Sequence, residues 1–272
     1  LICYVNFFTY LIGDNMSKLK ISFLLLMVVG IQAQDEVEYK YEPEGNSAEY
    51  YIGTYNKGKD FSDMVDWYSK FDSWTKTQAS TYDEMSVGLL TPYFHSDMNS
   101  VDVIWVNNWS TPTKQFEGLD AWMKGGGKLL ESLPATNSQQ INAYQWVISE
   151  NSASKVGDMF TATYSDCMLD EGYNLRQVYD LYMDFAKYAQ SQGDTIGRKF
   201  IVPSSGYTGD ADFVRLLSSS PISAAGVNQE IYMDKINGSE ADVNLTGFSC
   251  SDPRTYICLL YTSDAADDEE RV

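Results

Sequence analysis

The chain has 272 residues, of which 38 are acidic and 19 basic, with a single histidine, four cysteines and a formal net charge of −19. So acidic a balance repels phosphate backbones and excludes nucleic acid as an expected partner. One histidine and no CxxC pair leave no basis for a metal centre.

From Met16 the chain reads as a secretory signal peptide over residues 16–33: Lys18 and Lys20, an apolar run over 21–29, then Ile31-Gln32-Ala33 before Gln34. The apolar run falls short of the roughly 20 residues a membrane span needs, so no stable membrane insertion is expected after cleavage. Residues 1–15 then read as translated upstream sequence, and the mature protein is expected to be secreted or periplasmic. Residues 34–47 are acidic, carry no helical stripe, and read as a flexible lead-in.

Residues 48–150 form a first unit. The β-formers of 49–56 read as strand one. Asp60 is an N-cap for a helix whose apolar stripe is Phe61, Met64, Val65, Tyr68 and Phe71, flanked by Trp67 and Trp74. Residues 85–95 read as strand two, with Pro92 near its end, where a missing N–H suits a sheet edge. Strand three spans 101–109. Thr111 and Pro112 then make an N-cap and first-turn pair for helix two, which Gly125-Gly126-Gly127 ends or frays. Residues 141–149 read as strand four.

Residues 158–257 repeat that order. Strand one spans 159–166. Asn174 and Gln177 form a capping box for a helix carrying Val178, Leu181, Tyr182, Phe185 and Ala189. Strands two and three span 199–202 and 211–217. Ser220 and Pro221 should start helix two, and 243–250 should be strand four. Residues 258–267, CLLYTSDAAD, resemble a translated sequencing-library adapter. On that reading 258–272 are an artefact on a metagenomic fragment whose native sequence breaks off near Ile257.

The two units share markers. Asp102, Ser110 and Pro112 reappear as Asp212, Ser220 and Pro221, Thr54-Tyr55 as Thr163-Tyr164, and Pro92 as Pro203, at a near-constant offset. The element order βαββαβ, written twice, predicts an α+β fold of two tandem ferredoxin-like repeats. That topology sets strand four beside strand one. Cys167 and Cys250 could then lie on neighbouring strands at the roughly 5.5 Å Cα spacing a disulfide needs, and that bond is predicted.

With this duplication, with strand one running into an aromatic helix, and with the junction WSTPTKQFEGLDAWM, the chain resembles the dimeric α+β barrel superfamily over about residues 48–256. That superfamily includes antibiotic-biosynthesis-monooxygenase-like, NIPSNAP-like and chlorite-dismutase-like haem proteins. The resemblance implies an intramolecular barrel, so a monomer with pseudo-dimeric repeats. It also implies that any pocket lies between a sheet and its helices.

Candidate chemistry is sparse. Alternation places Val103, Trp105, Asn107 and Trp109 on one face of strand three. That row lines either an aromatic pocket or an inter-sheet core with an asparagine near its rim. Arg215 occupies a matching position in the second repeat, as a pocket anion-binder or, preferentially, a rim ion pair. His95 closes strand two as a haem ligand, a general base or an exposed turn residue, with Tyr93 beside it. The absence of an acid–base or nucleophile set favours a non-catalytic protein with no cofactor, structural or binding a small apolar or aromatic ligand. Its ligand-binding residues would be Tyr93, His95, Trp105, Asn107, Trp109 and Arg215. The alternative is a cofactor-free monooxygenase-like or haem-associated enzyme using His95 and Asn107.

Overall fold

The computed structural model of the chain describes residues 38–151 and 157–262. The expected upstream segment, the signal peptide, the start of the lead-in and residues 263–272 lie outside the described residues. The first repeat runs β1 (Glu44–Tyr55), α1 (Phe61–Thr75), β2 (Met85–Phe94), β3 (Val103–Trp109), α2 (Pro112–Gly125), a one-turn α3 (Gly127–Leu130) and β4 (Ala135–Ser149). The second runs β5 (Met159–Leu169), α4 (Leu175–Ser191), β6 (Gly197–Ser205), β7 (Phe213–Ser219), α5 (Ala224–Ile231), a π-helical turn (Tyr232–Ile236), a one-turn α6 (Glu240–Val243) and β8 (Phe248–Thr262).

All pairings are antiparallel, and each repeat forms the four-stranded sheet of the ferredoxin-like unit: β4-β1-β3-β2 and β8-β5-β7-β6. The sheets join edge to edge, β2 with β8 and β4 with β6, into one closed eight-stranded barrel. Closure leaves no unpaired edge in the ring. The period-two alternation of the strands then divides their side chains between two surroundings. Ala48, Tyr50, Leu90, Ile104, Val106, Ala143, Ala162, Ile201, Val214 and Tyr256 point into the barrel. The opposite faces are covered by helices. Met64, Trp67, Tyr68 and Phe71 of α1 pack on Trp105 and Trp109, and Val178, Tyr182 and Phe185 of α4 pack on Phe200 and Phe213.

The helices begin where their caps dictate. Asp60 accepts from the N–H groups of Ser62 and Asp63, while the Asp63 carboxylate accepts from the N–H of Asp60. Thr111 accepts from the N–H of Lys114, ahead of Pro112. Asn174 and Gln177 close the reciprocal box on α4. Each such cap contributes about 1 kcal/mol. The duplicated aspartates also do one job twice. The Asp102 carboxylate accepts from the N–H of Tyr55, and that of Asp212 from the N–H of Leu169, both at 2.8 Å. In each repeat this ties the end of the first strand to the start of the third.

Several boundaries differ from the sequence reading. β1 begins at Glu44, inside the expected lead-in, because residues 44–47 pair with β4. β4 begins six residues early, at Ala135. Pro92 is not on an edge: β2 pairs on both sides, and Pro92 sits beyond the β3 ladder at a bulge in the β8 ladder, where its missing N–H costs no pairing. Ser220 does not cap a helix. It is buried ahead of a cis Ser220–Pro221 bond, and α5 starts only after the turn that follows. The fourth strand of the second repeat starts at Phe248 rather than 243, and residues 240–243 are helical instead. It runs through Ile257 to Thr262, so Cys258 is a buried residue of the barrel wall. Burial pushes the Cys258 thiol well above its ordinary value. Cys167 and Cys250 stand in register on β5 and β8, joined by a disulfide with an S–S distance of 2.00 Å.

Candidate functional site

The face of β3 that carries Val103, Trp105, Asn107 and Trp109 looks outward at α1 and α2, not at the other sheet. The inter-sheet core is built from the other face, by Ile104 and Val106. Between the first repeat's sheet and its helices lies a cavity of about 270 Å³. Tyr51, Trp105, Asn107 and Trp109 wall it on the sheet side. Met64, Trp67 and Phe71 of α1 and Leu119, Trp122 and Met123 of α2 wall it on the helix side.

The rings hold one another. Trp105 meets Trp67 and Phe71 edge to face, with centroids 5.2 and 5.3 Å apart, and Trp122 lies 5.9 Å from Phe71. Each such pair contributes about 0.5–1.5 kcal/mol beyond the area it buries. Two glycines make room for the indoles. A Cβ on Gly118 would meet the Trp109 ring at 2.1 Å, and one on Gly126 would meet the Trp122 ring at 2.2 Å. The glycine run thus ends α2 and also gives Trp122 space to lie over the chain that follows.

One edge of the cavity is polar and connected. The Trp105 indole N–H donates to Asn107 Oδ1 at 2.6 Å, and Asn107 Nδ2 donates to Glu49 Oε2 at 2.9 Å. The Trp109 indole N–H donates to that same oxygen at 3.2 Å, while Gln115 Nε2 donates to Glu49 Oε1 at 3.2 Å. Tyr51 lies two residues along β1 from Glu49, on the same face and in the same cavity wall. Its phenol is held well above its ordinary value, first by burial and then by the Glu49 charge. The rim is apolar and open to solvent, with Met123 76% and Leu130 54% exposed.

The barrel interior holds two further cavities, of about 400 and 370 Å³, both lined by Tyr50 and Tyr164. The first is bordered by His95 and by Arg254, which makes ion pairs with Asp166 and Asp252. The second is bordered by Lys199, which donates to the side-chain carbonyls of Gln145 and Asn46 at 3.2 and 3.4 Å. Desolvation lowers the Lys199 pKa, and the Glu150 charge partly offsets this.

The predicted site residues therefore separate. Trp105, Asn107 and Trp109 share the aromatic cavity. His95 borders the barrel cavity at its mouth, its Nδ1 accepting from the N–H of Asp97 at 2.9 Å and its ring edge-on to Tyr256. Tyr93 is 60% exposed and stacks edge-on against Phe94. Arg215 faces the second repeat's helical layer near Tyr232; its Nε is buried without an acceptor among the described residues. It forms no ion pair among the described residues, which removes the rim-pair reading. A haem held between a sheet and its helices would find no histidine there, because the chain's only histidine lies at the barrel mouth. Histidine ligation of a haem in the aromatic cavity therefore does not fit the residues present. No metal-holding cluster occurs among the described residues.

Sequence reasoning missed Glu49, Gln115 and the roles of Gly118 and Gly126. Glu49 had a signal: it is the one carboxylate on the helix-facing side of the aromatic strand EYYIGTY.

No protein-family model and no curated protein sequence matches the chain. Among solved structures it is similar to a mutant chlorite dismutase from Candidatus Nitrospira defluvii, with 10% identity and a TM-score of 0.47 over 82% of this chain and 94% of that one. The chlorite dismutase of the same organism in complex with imidazole matches with 10% identity and a TM-score of 0.45 over 82% and 94%. Similarity at this level carries no argument about activity, and the fold described above rests on strand order and register.

Proposed function

We propose that this protein is an exported, monomeric, non-catalytic binder of a small aromatic or apolar ligand, held in the aromatic cavity of the first repeat. The observation that carries this reading is the wall itself: Trp67, Phe71, Trp105, Trp109 and Trp122 surround about 270 Å³, with one polar edge at Glu49 and Asn107. Apolar walls with a few convergent polar groups are the usual make-up of small-molecule sites. An apolar cavity of about 150 Å³ holds a benzene ring, so a substituted single ring fits here. Export is supported by the Cys167–Cys250 bond, which persists in oxidising compartments. A monomer is supported by the closed ring of strands.

Calorimetric titration of the full chain with p-cresol tests the reading. The expected result is one saturable site with a Kd on the order of 0.1 mM. Ala135→Met, which places a longer side chain into the cavity from β4, should abolish the signal while the circular dichroism spectrum stays unchanged. Absence of saturable binding, or binding indifferent to Ala135→Met, would overturn the proposal.

A further inference from the structure

We infer that the ligand of the aromatic cavity is a small organic cation, an alkylated ammonium whose positive centre sits among the rings and faces Glu49. This rests on the cavity being a ligand site, as proposed above. Three side chains donate to the Glu49 carboxylate: Asn107, Trp109 and Gln115. All three are neutral, and Glu49 takes part in no ion pair among the described residues.

A carboxylate offers about four acceptor positions. Those of Glu49 are largely taken by the protein, but its charge is not balanced. A ligand with N–H groups would have to compete for the same lone pairs. A quaternary or tertiary ammonium needs few hydrogen bonds or none; it asks for negative potential and aromatic faces. Tryptophan is the best such face, and a cage of rings is how alkylated ammonium groups are recognised. The cavity supplies Trp67, Trp105, Trp109 and Trp122 beside the carboxylate. The net charge of −19 adds a long-range field that concentrates cations and repels anions.

The test compares two probes of the same shape, (4-hydroxyphenyl)trimethylammonium and 4-tert-butylphenol, which differ by a charged nitrogen against a carbon. Both are titrated into the full chain and into Glu49→Gln. In the native chain the ammonium should bind at least about tenfold more tightly, as cation–ring and carboxylate attraction together predict. In Glu49→Gln the ratio of the two affinities should fall to within about twofold. Glu49→Asp, which keeps the charge, should keep the preference. Equal affinity for both probes in the native chain, or a preference that survives Glu49→Gln, would overturn the cation assignment and leave the cavity as an apolar site. Failure of both probes and of p-cresol would overturn the cavity reading too. If Glu49→Gln does not fold, the native ratio alone decides.

Discussion

Replacing Cys167 and Cys250 together with alanine is expected to lower stability by about 3 kcal/mol, within the range typical of native disulfides. The bond closes a sequence separation of 83 residues, almost the whole second repeat. For so long a loop the chain-entropy estimate approaches 4.5 kcal/mol, an upper figure because the reduced, unfolded chain keeps some compactness. The bond joins β5 to β8, and β8 also carries the seam to β2 of the first repeat. Its loss should therefore loosen the barrel closure as well as the second repeat. For a domain of this size the melting temperature should fall by about 6–12 °C, read by thermal denaturation with and without reductant. A double-alanine variant that melts within about 2 °C of the native chain would show that the bond constrains little.

Asp194→Ala should cost about 3–5 kcal/mol. Asp194 and Arg198 form an ion pair at 2.9 Å with side chains only 1% and 4% exposed, where α4 turns into β6. The guanidinium also donates to the Ile196 carbonyl at 3.0 Å and lies over the Phe185 ring. Removing the carboxylate strands a positive charge among Phe185 and its neighbours. The pair is incompletely satisfied even in the native chain, since Asp194 Oδ2 and Arg198 Nε have no hydrogen-bond partner among the described residues. An apolar replacement of both residues should therefore recover most of the loss. The double variant Asp194→Ala/Arg198→Met is expected to be at least 2 kcal/mol more stable than Asp194→Ala alone, measured by urea denaturation. If the double variant is no more stable than Asp194→Ala alone, the pair is not coupled and this account of it fails.

Much of the fold could be read from the chain because its signals were local. Asp60, Thr111-Pro112 and the Asn174/Gln177 pair each place a helix start by satisfying free N–H groups, and the structure uses all three. The doubled Asp102 and Asp212 exposed the repeat because both perform the same strand-tying contact. Where the reading failed, a non-local pairing overrode a local cue. Ser251-Asp252-Pro253 looks like the end of a strand. β8 nevertheless passes through it, with Asp252 at a positive φ of 48° and a bulge opposite Tyr164 and Asp166, because β5 pairs with it on both sides of the bulge and β2 takes it up from Thr255 onward.

The site was half legible for the same reason. Alternation grouped Trp105, Asn107 and Trp109 correctly, but it could not say whether that face met helices or the other sheet. His95 and Tyr93 were linked to that row only by proximity in the chain. The end of β2 leaves His95 at the mouth of the barrel cavity and Tyr93 in solvent. Glu49 is distant in sequence from the tryptophans it joins, and only the β1–β3 register, pairing Glu49 with Asn107, brings it there.

The claim on which the functional account stands is that the space between α1, α2 and the first repeat's sheet accepts a ring-sized ligand. A crystal of the protein soaked in 4-bromophenol tests it most directly, because bromine can be located by its anomalous scattering. The account predicts a bromine peak in contact with Trp67, Trp105 and Trp122. A peak inside the barrel against Tyr50 and Tyr164, with none among the tryptophans, would contradict it.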